Sequence, residues 1–239
     1  VQLKKIFFKE KGNPINRSIV FFHGFMGSSQ DFEFYFEALS NEFHCIAFDL
    51  PGHGKSTLYE INELIPLIPR NSTIVGYSMG GRIGLNLQIR RKNLFEKGIY
   101  LSTHLGLESL LQKKLRVESE KRWISDLQKK DLNQFIDDWY RSDLFKNPKI
   151  PAYRYNQKKD FLIYAIKKFS LAKQPNFWNS LSKIKKTTFF LYGSEDSSYL
   201  KLFYRLKAAN IETCLIENAA HAIHIEKKEL VLEKIRGAL

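Results

Sequence analysis

The chain has 239 residues, of which 44% are hydrophobic, 14% aromatic and 26% charged; that composition supports one sizeable core and excludes a disordered chain. Its net charge of +13 raises nucleic acid as a partner, but the lysines fall in scattered pairs such as Lys113-Lys114, Lys158-Lys159 and Lys185-Lys186. Without zinc-finger spacing, an RNA-recognition motif or a basic arm, the charge reads as a solvated surface, and a nucleic-acid partner is not expected.

The N-terminal stretch "VQLKKIFFKEK" lacks the apolar core of a signal peptide, and no run is long enough to span a membrane. A cytoplasmic chain with no membrane insertion is the expectation, as a monomer or small homo-oligomer. Cys45 and Cys214 lie in the apolar runs "FHCIAF" and "TCLI". They are expected to be buried on adjacent strands, not to form a disulfide.

Short β-rich runs are predicted at 6–8, 18–22, 44–50, 72–78, 98–102, 187–193 and 213–218. Those from 18 to 102 are almost continuously apolar, as strands buried on both faces are. Helices are predicted between them at about 29–40, 57–68, 79–92, 197–209 and 226–238. This alternation predicts an α/β fold with a mostly parallel central sheet flanked by helices. Between about 105 and 182 the rhythm breaks into helical patterns: "LLQKKLRVESEKRWISDL", "LNQFIDDWYRSDLF" and "KKDFLIYAIKKFSLA". The expected organisation is a core made of 1–104 and 183–239, with 105–182 inserted as a helical cap.

Four strand ends carry candidate chemistry. "VGYSMGGR" places Ser78 between a strand and a helix in the G-x-S-x-G pattern. That pattern forces a sharp turn and lifts the serine hydroxyl above the sheet. "FFHGFMGSS" is a turn whose backbone N–H at Phe25, with that of Met79, can form an oxyanion pocket. His23 in this turn reads as a brace, and Asp49 and His53 in "DLPGHGKS" read as scaffold, because they precede the serine. The chain order serine, acid, histidine is met downstream by Glu195 or Asp196 in "LYGSEDSS" and by His221 or His224 in "ENAAHAIHIE". Asp196 and His221 are favoured: Asp196 would orient His221, and His221 would take the proton of Ser78. Arg82, one turn beyond Ser78, is a guanidinium suited to a carboxylate.

These motifs together resemble the α/β-hydrolase superfamily along the whole chain. "GYSMGGR", "ESEKRW", "DDWY...LF" and "FFHGFMGSS" further resemble 2-succinyl-6-hydroxy-2,4-cyclohexadiene-1-carboxylate synthase, a family of menaquinone and phylloquinone biosynthesis. The resemblance implies a lyase that uses a Ser-His-Asp set to expel pyruvate from a tricarboxylate substrate, with no metal or cofactor. It implies substrate-binding roles for Tyr77, Arg82, Arg116, Trp139 and, across a gap, Arg154. The family's glycine before the catalytic histidine is Ala220 here. Other readings of the same fold are a carboxylesterase or thioesterase, a carbon–carbon bond hydrolase and a non-catalytic binding protein.

Overall fold

The computed structural model describes residues 5–91, 93–146 and 149–239. The start of the N-terminal stretch and Lys92, the end of the helix expected over 79–92, lie outside the described residues. Seven strands form one sheet: β1 (Phe8–Lys11), β2 (Ser18–Phe22), β3 (His44–Phe48), β4 (Ser72–Tyr77), β5 (Phe95–Leu101), β6 (Thr188–Gly193) and β7 (Glu212–Ile216). Their spatial order is β1-β3-β2-β4-β5-β6-β7. β1 pairs antiparallel with β3 and every other pairing is parallel.

The helices are α1 (Glu33–Leu39), α2 (Ser78–Arg90), α3 (Leu110–Lys129), α4 (Leu132–Tyr140), α5 (Lys159–Lys168), α6 (Ser197–Ala208), α7 (Ile223–Glu226) and α8 (Lys228–Ala238). Successive strand residues point to opposite faces, and the core divides accordingly. Phe21, Val75 and Leu191 pack with Phe36 of α1 and Val231 and Ile235 of α8. Val20, Phe22, Ile74 and Phe190 pack with Ile83 and Leu87 of α2 and Phe203 and Leu206 of α6. Helices thus cover both faces of the parallel sheet. Between β5 and β6, α3 to α5 and short 3-10 turns form the only regular structure among the described residues. No helix among them is long and apolar enough to cross a membrane.

Several expectations shift. The first strand is Phe8–Lys11, displaced from the apolar run at 6–8, because its backbone pairs with the edge of β3 while its own outer half is exposed. The helix expected over 57–68 is a 3-10 segment, Ile61–Leu67, containing Pro66; proline removes a helix donor and clashes with the preceding turn. The helix expected from 226 divides into α7 and α8 at Lys227, whose φ of −137° and ψ of 50° are not helical. Cys45 and Cys214 are both free, but they are not on neighbouring strands. β3 and β7 are separated by β2, β4, β5 and β6, because the chain crosses back over the sheet after β3.

Candidate active site

Ligands of open parallel sheets collect beyond the carboxyl ends of the strands, and the candidate residues converge there. Ser78 follows β4 directly and has φ +48°, a left-handed conformation that costs free energy in a non-glycine residue. The flanking glycines permit this turn. A Cβ on Gly76 would lie 2.6 Å from the Cα of Gly81, and one on Gly80 would lie 2.3 Å from the carbonyl oxygen of Phe22. The elbow is thus wedged against the end of β2.

The Ser78 hydroxyl donates to His221 Nε2 at 3.0 Å, and His221 Nδ1–H donates to Asp196 Oδ2 at 2.7 Å. The carboxylate partner assigns the proton to Nδ1. Asp196 and His221 are almost fully buried. Asp196 stands at the N-cap position of α6, yet its side chain makes no capping bond there. The carboxylate is aimed at the imidazole instead. Tyr199, Tyr77 and Phe145 surround that imidazole with ring centroids at 4.7, 5.5 and 5.7 Å.

A second carboxylate, which the sequence did not single out, holds the loop. Glu226 accepts the N–H of Ala220 at 2.7 Å and of Ala222 at 2.9 Å, one residue on each side of His221. Ala220 is not among the residues with positive φ, so this loop does not require glycine there. The signal available in sequence was only an acid shortly after the histidine in "HAIHIE".

The Gly24–Gly27 turn is closed by the Gly27 N–H to the Gly24 carbonyl at 3.0 Å. The N–H of Phe25 has no protein acceptor among the described residues. Met79 lies in the first turn of α2, where N–H groups lack intrahelical partners. His23 braces this turn as expected: its Nδ1–H donates to the Gly24 carbonyl at 2.7 Å, and its Nε2 accepts from Leu50 N–H at 2.9 Å. Asp49 accepts the N–H groups of Ser29 and Lys55, which makes it scaffold. Trp139 from α4 packs on Phe25 at 5.2 Å and on Trp123 at 4.8 Å. The aromatic wall from the inserted segment therefore rests on the Phe25 turn.

The arginines occupy two settings. Arg82 donates to Gln174 Oε1 at 2.9 Å and to the Phe169 carbonyl at 2.8 Å. Both acceptors are neutral. Burial, then the neighbouring Arg116 cation, brings its pKa down to about 10. Arg116 lies over the Trp123 ring at 4.6 Å and pairs with Glu120 at 2.7 Å. The same two guanidinium groups add to burial in lowering His104 to about 4. Arg154 is elsewhere: 1% exposed, it pairs with Asp31 at 2.7 Å, and Tyr153 O–H donates to the same carboxylate at 2.5 Å. Its Nε and Nη1 have no hydrogen-bond partner among the described residues. His224 also faces this pair, with Nε2 at 3.9 Å from Asp31 and its ring 4.0 Å from Tyr77. No sequence signal distinguished Asp31, because its partners come from remote segments.

Geometry of this kind can move a proton from serine to imidazole, and it offers two N–H groups and a cationic wall to an anionic substrate. Among the described residues, no group of three or more His, Cys, Asp or Glu is placed to hold a metal ion.

A family model described as alpha/beta hydrolase fold matches residues 17–228. The chain is 26% identical over 249 residues to 2-succinyl-6-hydroxy-2,4-cyclohexadiene-1-carboxylate synthase from Salmonella agona, covering 95% of this chain and 96% of that one. It is 27% identical over 260 residues to the chloroplastic protein PHYLLO of Arabidopsis thaliana, covering 92% of this chain; it spans 15% of that much longer relative. The solved structure of MenH from S. aureus superposes with a TM-score of 0.86 at 25% identity, covering 98% of this chain and 97% of the other.

Proposed function

The chain belongs to the α/β-hydrolase fold family, and from that premise we propose that it is a carbon–oxygen lyase that eliminates pyruvate. Its substrate is 2-succinyl-5-enolpyruvyl-6-hydroxy-3-cyclohexene-1-carboxylate and its product is 2-succinyl-6-hydroxy-2,4-cyclohexadiene-1-carboxylate, in menaquinone or phylloquinone biosynthesis. The observation that carries this reading is the hydrogen-bonded run Ser78–His221–Asp196 set one helical turn from Arg82, whose charge meets only neutral acceptors. The likeness to a synthase of that name extends over 95% of this chain, so it takes in the inserted segment as well as the elbow.

In this reading His221, held by Asp196, withdraws the proton of Ser78, and the serine oxygen removes the acidic proton beside the succinyl ketone. The enolate oxygen that develops rests on the N–H groups of Phe25 and Met79. Electrons move through the ring, the bond from ring carbon to the enolpyruvyl oxygen breaks, and the leaving enolpyruvate takes up a proton to become pyruvate. Ser78 is a base and is never acylated. Arg82 and Arg116 hold substrate carboxylates and Tyr77 and Trp139 line the ring, whereas Arg154, 1% exposed and paired with Asp31, serves the fold. The protein acts in the cytoplasm as a monomer or small homo-oligomer, which size-exclusion chromatography tests.

Pyruvate release from substrate generated in situ measures the activity. Ser78→Ala is expected to lower it by about 10²–10⁴-fold, the range for loss of a positioned base. Full release by that variant would sink the assignment. Arg82→Gln is expected to lower kcat/KM by about 10-fold or more, as loss of a charge-assisted hydrogen bond does. If p-nitrophenyl esters were instead turned over briskly and independently of Arg82, an esterase would be the correct reading.

A further inference from the structure

The parallel strands β2 to β7 all begin at one end of the sheet, opposite the strand ends that carry Ser78, Asp196 and His221. Cations far apart in the chain meet at that end. Arg70 lies two residues before β4, and Arg90 and Arg91 close α2. Lys185 and Lys186 lie in the turn before β6, and Lys207 stands near the end of α6, shortly before β7. The segments that carry them are joined. Asn71 N–H donates to the Asn93 carbonyl at 3.0 Å, the Gln88 amide donates to the Thr187 carbonyl at 3.4 Å, and Phe189 pairs with Glu212.

All six cations are exposed, and none has a carboxylate within ion-pair distance among the described residues. Exposed cations elsewhere do find one: Lys121 pairs with Glu118 at 2.9 Å, Lys168 with Glu60 at 2.7 Å and Lys146 with Glu195 at 3.0 Å. At the starts of β4 to β7 the carboxylates are Glu96 and Glu212, which leaves a strong positive excess. A cation at a helix C-terminus offsets the helix dipole, and that accounts in part for Arg90, Arg91 and Lys207. Arg70, Lys185 and Lys186 stand at no α-helix end. Apolar side chains share this end: Ile15, in the turn between β1 and β2, is 90% exposed, and Leu67, before β4, is 41% exposed.

We propose that this end of the molecule docks on a bilayer surface that contains anionic phospholipid, with the catalytic cleft turned toward solvent. Charge complementarity carries the proposal. Each cation held at an anionic surface is worth about five-fold in binding, and the net charge of +13 adds long-range attraction. Ile15 and Leu67 suit the boundary between headgroups and acyl chains. Nucleic acid fits less well. Single strands need successive aromatic rings to stack on, and among the described residues Tyr204 is the one exposed aromatic side chain. The proposal is independent of the reaction assigned to Ser78.

Co-sedimentation of the full chain with vesicles tests it. The chain is expected to bind phosphatidylcholine vesicles in which phosphatidylglycerol makes up about a third of the lipid, to leave pure phosphatidylcholine unbound, and to be released at about 0.5 M salt. The double variants Lys185→Gln with Lys186→Gln and Arg70→Gln with Arg90→Gln are each expected to weaken binding roughly 25-fold, about five-fold per cation. Lys113→Gln with Lys114→Gln, on α3 of the inserted segment, removes the same charge and is expected to leave binding unchanged. All three double variants are expected to keep parental pyruvate release. The proposal is overturned if pure phosphatidylcholine binds as well, if both strand-start variants bind like the parent, or if the α3 variant weakens binding equally. It is also overturned if a mixed-sequence RNA displaces the vesicles at equal phosphate concentration, which would make this end a nucleic-acid surface.

Discussion

Glu226 shows what a single side chain can contribute without touching the reacting atoms. Its two oxygens accept the N–H groups on either side of His221, so they fix the peptide planes from which the imidazole projects. A carboxylate bonded to two backbone donors is stronger than a neutral acceptor in the same place. Glu226→Ala is expected to lower kcat about 10-fold or more with KM little changed, because a misaligned base affects the transition state more than binding. Glu226→Gln retains one carbonyl acceptor and is expected to recover part of the loss. Steady-state pyruvate release decides the matter: an Ala variant with parental kcat would show that the loop holds itself. Ser78, Asp196 and His221 are legible in sequence because each follows a strand end in a fixed chain order. Glu226 and Asp31 are not, because their partners are backbone amides or side chains that only the folded chain brings near.

At the scale of the element, the elbow is a contact between two backbones. The Cβ of an alanine at position 80 would meet the carbonyl oxygens of Phe22 at 2.3 Å and His23 at 2.4 Å. Both belong to the end of β2 and the turn that carries Phe25, and neither can swing aside as a side chain does. Gly80→Ala is therefore expected to cost about 1–3 kcal/mol of stability, typical of overpacking, and to displace the elbow. Gly237, near the end of α8, is the opposite case: a Cβ there would meet nothing within 4 Å. Gly237→Ala is expected to stabilise the chain by up to about 0.5–1 kcal/mol through helix propensity. Urea denaturation of both variants checks the opposite signs; a Gly80→Ala protein as stable as its parent would contradict the wedge. The same logic explains which elements can be read from the chain. Strands β2 to β4 and the second half of β5, from residue 98, are apolar or nearly so and their runs announce them, whereas Glu96 and Lys97 hide the start of β5. β1 is half exposed and owes its position to pairing with β3, while Pro66 converts an apparently helical segment into a 3-10 turn.

At the scale of the molecule, the inserted segment is fastened to the core by a buried ion pair. Arg154 and Tyr153 reach Asp31, which stands in the turn before α1, and Gln157 Nε2 donates to the Met26 carbonyl at 3.2 Å. Burial alone would raise the Asp31 pKa, but the Arg154 cation, with His224 and His23, outweighs it and holds the carboxyl far below the usual carboxylate range. The stability this provides is fully present above the unfolded pKa, near 4, and is lost as pH falls toward the folded value. The buried histidines act earlier in an acid titration. Burial lowers the pKa of His53, aided by His23, and burial also lowers that of His224 despite the opposing pull of Asp31. The folded chain keeps both neutral where the unfolded chain takes up protons, so their contribution is present above about 6.5 and declines as pH falls below it. Asp31→Asn removes the counter-charge of a buried guanidinium and is expected to cost about 3–5 kcal/mol at pH 7. Because the parent loses the same contribution in acid, the difference between parent and variant should narrow as pH falls below about 4, while the decline that begins near 6.5 should remain in both. Denaturant titrations at a series of pH values measure the two curves, and a gap that stayed constant into acid would show that Asp31 does not carry its charge in the folded chain.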